Sequence, residues 1–289
     1  MSLARLQRVA VLGVGLIGGS FARAIKQAVP TLEVVGLARE PARLSPAQAA
    51  RVVDDCRPIS PASVTDVDFL LLAAPVSATQ AVLETLAPGF SAQVVLSDAG
   101  STKQDVDAAA RLALGARYPR FVPAHPIAGS EQSGWQAAQA GLFVGRRVIL
   151  TPTPETDGAA LALTRAVWEA CGAQVSELGV HEHDAVFAQV SHFPHFLAYA
   201  YMQQILQAPN AATLLAQAGT GFRDFTRIAG SEPKMWVDIS LANRANVLQC
   251  AQAFQASLGE LIDLLQAGDS AALEARFTEI SGARRTWHL

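Results

Sequence analysis

The chain has little charge, few cysteines and no long unbroken apolar stretch, and each shortage excludes a class of function. Charged residues are 16% of its 289 residues, the net charge is −3, and no basic tract occurs. Binding a polyanion takes clustered cations, so nucleic acid and anionic membrane are poor partners. Cys56, Cys171 and Cys250 are scattered and odd in number. They suit reduced thiols in a core, with neither a disulfide framework nor a zinc site. Apolar runs stop short of the roughly 20 residues that a membrane helix needs. Arg5 and Arg8 before an apolar run imitate a secretory leader, but the glycines that follow are spaced for a nucleotide turn. A cytoplasmic protein is expected. The apolar share of 51% fills a large core and leaves surface to bury against another subunit.

What is present starts with Val9-Ala10-Val11-Leu12-Gly13-Val14-Gly15-Leu16-Ile17-Gly18-Gly19-Ser20, a strand running into Gly-x-Gly-x-x-Gly and then a helix pattern. That context marks a dinucleotide site rather than an ordinary strand–turn–helix corner. Gly13 permits the tight turn, Gly15 lets the backbone approach a pyrophosphate, and Gly18 lets the helix pack on the strand. The helix start at Leu16, Ile17 and Gly18 offers free N–H groups and a positive dipole end to the phosphates. The second strand, Leu32 to Ala38, ends without the carboxylate that accepts from the ribose of NAD; Arg39 follows. A guanidinium pairs with a 2′-phosphate, so NADP is expected over NAD. Glu40 argues the other way, because a shift of one position makes it the ribose ligand.

Strand and helix signals alternate over residues 1–179. Asp54-Asp55 reads as a turn, Val67 to Val76 as a buried strand ending at Pro75, and Ser77 to Leu86 as a helix. Further strands are read at 93–98, 120–125, 147–151 and 173–178. The fold class is α/β, with an N-terminal Rossmann-type, doubly wound parallel sheet. Such sheets bind ligands beyond the carboxyl ends of their strands, where Ala74-Pro75, Asp98 to Lys103 and His125 to Gly134 fall. From about Val180 strand signals stop. His183 to Leu206, interrupted by Pro194, then Leu214 to Ala218, Pro233 to Gln266 and Ser270 to Arg285 read as helices. A helix apolar on most faces must be buried on most faces. Residues 180–289 are therefore expected to form an all-helical domain that makes a homodimer. No repeat and no extra regulatory module is read in these residues.

Three constellations carry chemistry. Asp98-Ala99-Gly100-Ser101-Thr102-Lys103 offers hydroxyls and N–H groups at a strand end, or caps a helix through Ser101 or Thr102. His125-Pro126 opens a loop running through Gly129, Ser130, Glu131 and Gly134; a neutral imidazole there suits removal of an alcohol proton. The plainer alternative is a hydrogen-bonded loop histidine. His192 and His195 lie one helical turn apart, as do Arg223 and Arg227. With His181 and His183 they fit no strong metal template, and no metal is expected. Paired arginines suit a dianionic substrate, although Arg223 has Asp224 beside it for an ion pair.

Together these motifs resemble the prephenate/arogenate dehydrogenase family of tyrosine biosynthesis. The resemblance rests on Gly13 to Ser20, Asp98-x-Gly100-Ser101-x-Lys103, His125-Pro126-x-Ala128-Gly129-Ser130-Glu131, Ser191 to His195, and Phe222 to Ala229 before Met235-Trp236. It implies oxidative decarboxylation of a cyclohexadienol carboxylate, arogenate or prephenate, to tyrosine or 4-hydroxyphenylpyruvate. Carried over by motif, His125 accepts the ring hydroxyl proton. Ser101 orients His125 and contacts substrate or nicotinamide, and Arg227 binds a substrate carboxylate. His192, His195 and Glu131 shape or gate the cleft, and Arg223 and Ser130 are counted with them among the substrate-binding residues. The NADP reading points at this level to arogenate or dual use. The alternatives are another NADP-dependent reductase, of 3-hydroxyacid or imine type, and a non-catalytic NADP-sensing regulator.

Overall fold

The computed structural model describes residues 3–129, 132 and 134–287. The first half alternates β1 (Arg8–Leu12), α1 (Leu16–Ala28), β2 (Glu33–Ala38), α2 (Ser45–Ala49), β3 (Asp55–Pro58), β4 (Phe69–Leu72), α3 (Thr79–Leu86), β5 (Val95–Asp98), α4 (Gln104–Leu114) and β6 (Phe121–Val122). The six strands are parallel in the order β3-β2-β1-β4-β5-β6. The order reverses between β1 and β4, which opens a crevice at their carboxyl ends. Both faces of the sheet are covered, so its central strands are apolar throughout. Val9, Val11, Phe69 and Leu71 meet Phe21 and Trp168 on one face. Ala10, Leu12, Leu70 and Leu72 meet Leu83, Leu86 and Phe121 on the other.

Two features depart from the sequence reading. Asp55 opens the edge strand β3, pairing with Val35, where a turn was expected. Its residues are polar or half-exposed, which removes the apolar run that signals a strand. The strand read over 120–125 splits at Pro123. β6 stays on the parallel sheet, whereas β7 (Ala124–Pro126) joins a second sheet with β8 (Arg147–Leu150) and β9 (Gln174–Glu177). β7 runs antiparallel to β8, so the later strands do not continue the first sheet. Proline has no N–H for a ladder, so the chain changes sheets there. α5 (Gly158–Ala170) connects β8 to β9 and carries Trp168 into the core.

The remaining helices are α6 (Val180–Phe187), α7 (Phe193–Gln207), α8 (Ala211–Ala216), α9 (Thr220–Thr226), α10 (Pro233–Ala242), α11 (Arg244–Ala267) and α12 (Ser270–Thr286). Pro194 does not break α7. It lies in the first turn, where no N–H is needed, directly after a π turn over Ala188–His192. The segment read as helical from Pro233 to Gln266 divides at Asn243, whose side chain is buried. Compactness divides the chain at the same point, into Met1–Asn243 and Arg244–Leu289. Among the described residues no helix is long and apolar enough to cross a membrane.

Candidate active site

The glycine turn is built for close approach. Gly13 has φ +91°, and a Cβ there would lie 2.5 Å from the Ala73 carbonyl oxygen. A Cβ on Gly18 would lie 2.2 Å from the Gly13 oxygen and 2.9 Å from Val11 Cγ1. Any side chain at either position would push α1 off β1 and β4. Gly15 caps α1 without a side-chain hydrogen bond, so the first amides at Leu16, Ile17 and Gly18 have no capping oxygen. Ala74 and Pro75 follow β4 beside this turn. The cradle fits a dinucleotide pyrophosphate, whose negative charge the helix end favours. Arg39 follows β2 and is exposed. Glu40 is engaged by Arg43, whose Nε donates to its Oε2 at 2.8 Å.

At the carboxyl end of β5, Asp98 and Lys103 form a buried ion pair. Lys103 Nζ also donates to the Ala124 oxygen at 2.8 Å. Asp98 accepts from Gly100 N at 2.8 Å and from Ala124 N at 3.0 Å. The Asp-x-Gly-x-x-Lys pattern is thus a clamp that fixes the start of β7, one residue before His125. Neither Ser101 nor Thr102 caps α4. That cap comes from Asp184 on α6, which accepts from Lys103 N at 2.8 Å and Gln104 N at 2.9 Å.

His125 lies within β7, opposite Ile149, rather than after a strand. It is buried, with Nδ1 2.9 Å from His183 Nε2 and its ring against Phe187. His183 Nδ1 in turn lies 2.8 Å from Asp184 Oδ1. Burial first, and then the charges of His183, Lys103 and His192, push His125 well below the usual 6.5. His183 is also lowered, by burial against the opposing effect of Asp184. Burial works to raise Asp184, but the bonds from His183, Gln104 and Lys103 outweigh it and hold its carboxyl below 3.8. At neutral pH the site therefore holds two neutral imidazoles on an ionised carboxylate. No hydrogen bond joins Ser101 to His125 among the described residues; His183 holds that ring instead.

His192 is fully buried and pushed down to about 4, chiefly by burial. Asn243 Nδ2 lies 3.0 Å from its Nδ1 and donates to the Asp184 carbonyl at 2.7 Å. His195 takes a different setting. It stacks on Trp236 with ring centroids 3.5 Å apart, and its Nδ1 donates to the Ser191 oxygen at 2.8 Å. Burial lowers its pKa, and the Arg227 charge adds to this. Arg223 is exposed and pairs with Asp224 at 3.1 Å. Ser130 and Glu131 lie outside the described residues. Among the described residues no group of three or more His, Cys, Asp or Glu side chains is arranged so that it could hold a metal ion.

Sequence reasoning named Lys103 and Trp236 only within motifs, with no role of their own, and missed Asp184, Asn243 and the part of His183 in the site. His183 was weighed only as a metal ligand. Its role depends on a partner 58 positions away, which no local pattern reveals.

Two family profiles match the chain. One, described as prephenate dehydrogenase, nucleotide-binding domain, covers residues 21–177; the other, prephenate dehydrogenase, dimerization domain, covers residues 180–279. The chain is 38% identical over 242 residues to a prephenate dehydrogenase of Bacillus subtilis, spanning 83% of this chain and 65% of that relative. It is 32% identical over 280 residues to a cyclohexadienyl dehydrogenase of Zymomonas mobilis, spanning 96% and 95%. Its fold matches the crystal structure of a prephenate dehydrogenase from A. aeolicus, in complex with hydroxyphenyl propionate and NAD+. That match has a TM-score of 0.91 and 35% identity, over 97% of this chain and 98% of that one.

Proposed function

The chain belongs to the prephenate dehydrogenase family, and from that premise we propose that it oxidises and decarboxylates arogenate and/or prephenate, giving tyrosine or 4-hydroxyphenylpyruvate. The observation that carries this reading is His125, a buried neutral imidazole tied through Nδ1, whose preceding residue Ala124 is held by Asp98 and Lys103 at the carboxyl end of β5. A nicotinamide dinucleotide, when bound, accepts the hydride from the carbinol carbon. The chain's own residues do the rest. Gly13, Gly15 and Gly18 give the backbone room for the pyrophosphate. His125 Nε2 takes the hydroxyl proton as the carbon–oxygen double bond forms. The ring carboxylate then leaves as carbon dioxide, its bonding pair makes the ring aromatic, and His125 returns the proton to the phenolate oxygen. Aromaticity drives the reaction, so positioning and one proton are what the protein must supply.

The finer assignments follow the same logic. Arg227, whose charge acts on His195, binds a substrate carboxylate, and the stacked rings of His195 and Trp236 contribute to the same substrate site. Arg223, Ser130 and Glu131 contribute to substrate binding, and Ser101 contacts substrate or nicotinamide. Exposed Arg39 selects NADP, with NAD as the lesser cofactor. The labour divides at 179/180, with cofactor on one side and helices for substrate and homodimer contacts on the other. The test is turnover of both substrates with both cofactors, beside His125→Asn. That change should lower kcat by roughly two to four powers of ten and leave cofactor binding intact. An unchanged kcat removes His125 from the mechanism.

A further inference from the structure

Asp184 is an unusual carboxylate because the backbone amides on its side chain fix it as an acceptor on both oxygens. Its Oδ1 faces Lys103 N and His183 Nδ1, each at 2.8 Å, and its Oδ2 faces Gln104 N at 2.9 Å. Two of those groups are backbone amides that can only donate. An ionised carboxylate can only accept. The proton of the His183 ring therefore sits on Nδ1, and in a neutral imidazole this leaves His183 Nε2 bare. Nε2 is the atom 2.9 Å from His125 Nδ1. A bare nitrogen needs a donor, so the His125 proton also sits on Nδ1. The remaining nitrogen of His125, Nε2, is then the basic one.

We infer that Asp184 and His183 are positioning residues that set the tautomer of His125, so that its free basic nitrogen is Nε2. The inference rests on the proposed role of His125 as the proton acceptor, but the tautomer itself does not. The same carboxylate caps α4, so the loop carrying Ser101 and Lys103 is anchored to the group that sets the base. Lys103 in turn holds the backbone at Ala124. One buried acid thus fixes both where the base stands and which of its nitrogens is available. When His125 takes a proton at Nε2, its Nδ1–H still faces His183, and the charge is shared toward Asp184. No further oxidant, ion or donor is required.

The direct test is nitrogen NMR of the full-length protein labelled with 15N-histidine at pH 8. Each of the six histidines reports which ring nitrogen carries hydrogen. The His125 and His183 signals are assigned by their loss in His125→Asn and His183→Gln. Both rings are expected to carry the proton on Nδ1. A His125 ring protonated on Nε2 overturns the inference, whatever substrate the protein turns over. A second test is kinetic. His183→Gln places a carbonyl oxygen where Nε2 was and still accepts from His125, whereas His183→Asn keeps only the side facing Asp184. The glutamine variant should hold kcat within about tenfold, and the asparagine variant should lose roughly a hundredfold, with the KM for cofactor unchanged in both. Equal losses in the two variants also overturn it. Failure of the wild-type protein to oxidise either substrate would count against the proposed function and leave the NMR result standing.

Discussion

Arg39 and Glu40 stand side by side after β2 with opposite preferences for the adenosine ribose. The carboxylate would accept from a 2′-hydroxyl and repel a 2′-phosphate, and the guanidinium would do the reverse. In the fold Glu40 is drawn into an exposed pair with Arg43, while Arg39 makes no such pair among the described contacts. Arg39→Ala should therefore weaken NADP at least about tenfold more than NAD in a fluorescence titration; equal losses would refute the NADP assignment. The buried histidines carry a second expectation, whose sign is fixed by linkage. His125, His183 and His192 all have pKa values below 6.5 in the folded protein. Below pH 6.5 the unfolded chain binds more protons than the native one, so stability is full above that pH and falls as pH drops toward the folded values. For His192 the shift to about 4 corresponds to roughly 3 kcal/mol. Urea unfolding from pH 7 to pH 4 should show this loss, and His192→Gln should flatten it. A slope unchanged by that substitution would contradict the assignment.

The loop between β5 and α4 shows how far elements can be read from sequence. Its Asp98-x-Gly100-Ser101-x-Lys103 pattern is visible, and a cap or ligand role for its hydroxyls is the natural reading. The fold spends the pattern on a clamp instead, with Lys103 and Asp98 buried together and holding Ala124. Lys103→Met should leave a buried carboxylate without its cation, at a cost of about 3–5 kcal/mol in urea unfolding. A loss below about 1 kcal/mol would show that the amides of Gly100 and Ala124 satisfy Asp98 alone. The glycine turn was legible because its demands are local: a positive φ and two missing Cβ atoms belong to positions five apart. The apolar strands β1 and β4 were legible because both faces are buried. β3 was hidden by its polar edge, and the second sheet by Pro123, whose effect depends on where the chain goes next. His183, Asp184 and Asn243 were hidden for a related reason. Their meaning comes from α6 packing on α4 and β7, and a helix pattern carries no record of its partner.

The helical hairpin that ends the chain bears on assembly. On α11, Leu258, Ile262 and Leu265 recur at helical spacing and are all exposed in the isolated chain. On α12, Phe277 and Ile280 are exposed three positions apart. Single exposed apolar residues are ordinary, but a stripe along a helix is a surface that water leaves uncovered at a cost. The matching family profile over residues 180–279 is described as a dimerization domain, so the occupant expected here is a second copy of this chain. Sedimentation should then give twice the chain mass, and the melting temperature should rise with protein concentration, because association stabilises only the folded state. Leu258→Glu together with Ile262→Glu places two charges in the middle of the stripe. If the stripe is the interface, the double variant sediments as one chain and its melting temperature no longer depends on concentration. If it still sediments as a dimer, the subunits meet elsewhere, and the exposed apolar residues of α7 and α10, Phe196, Val237 and Leu241 among them, become the surface to alter next.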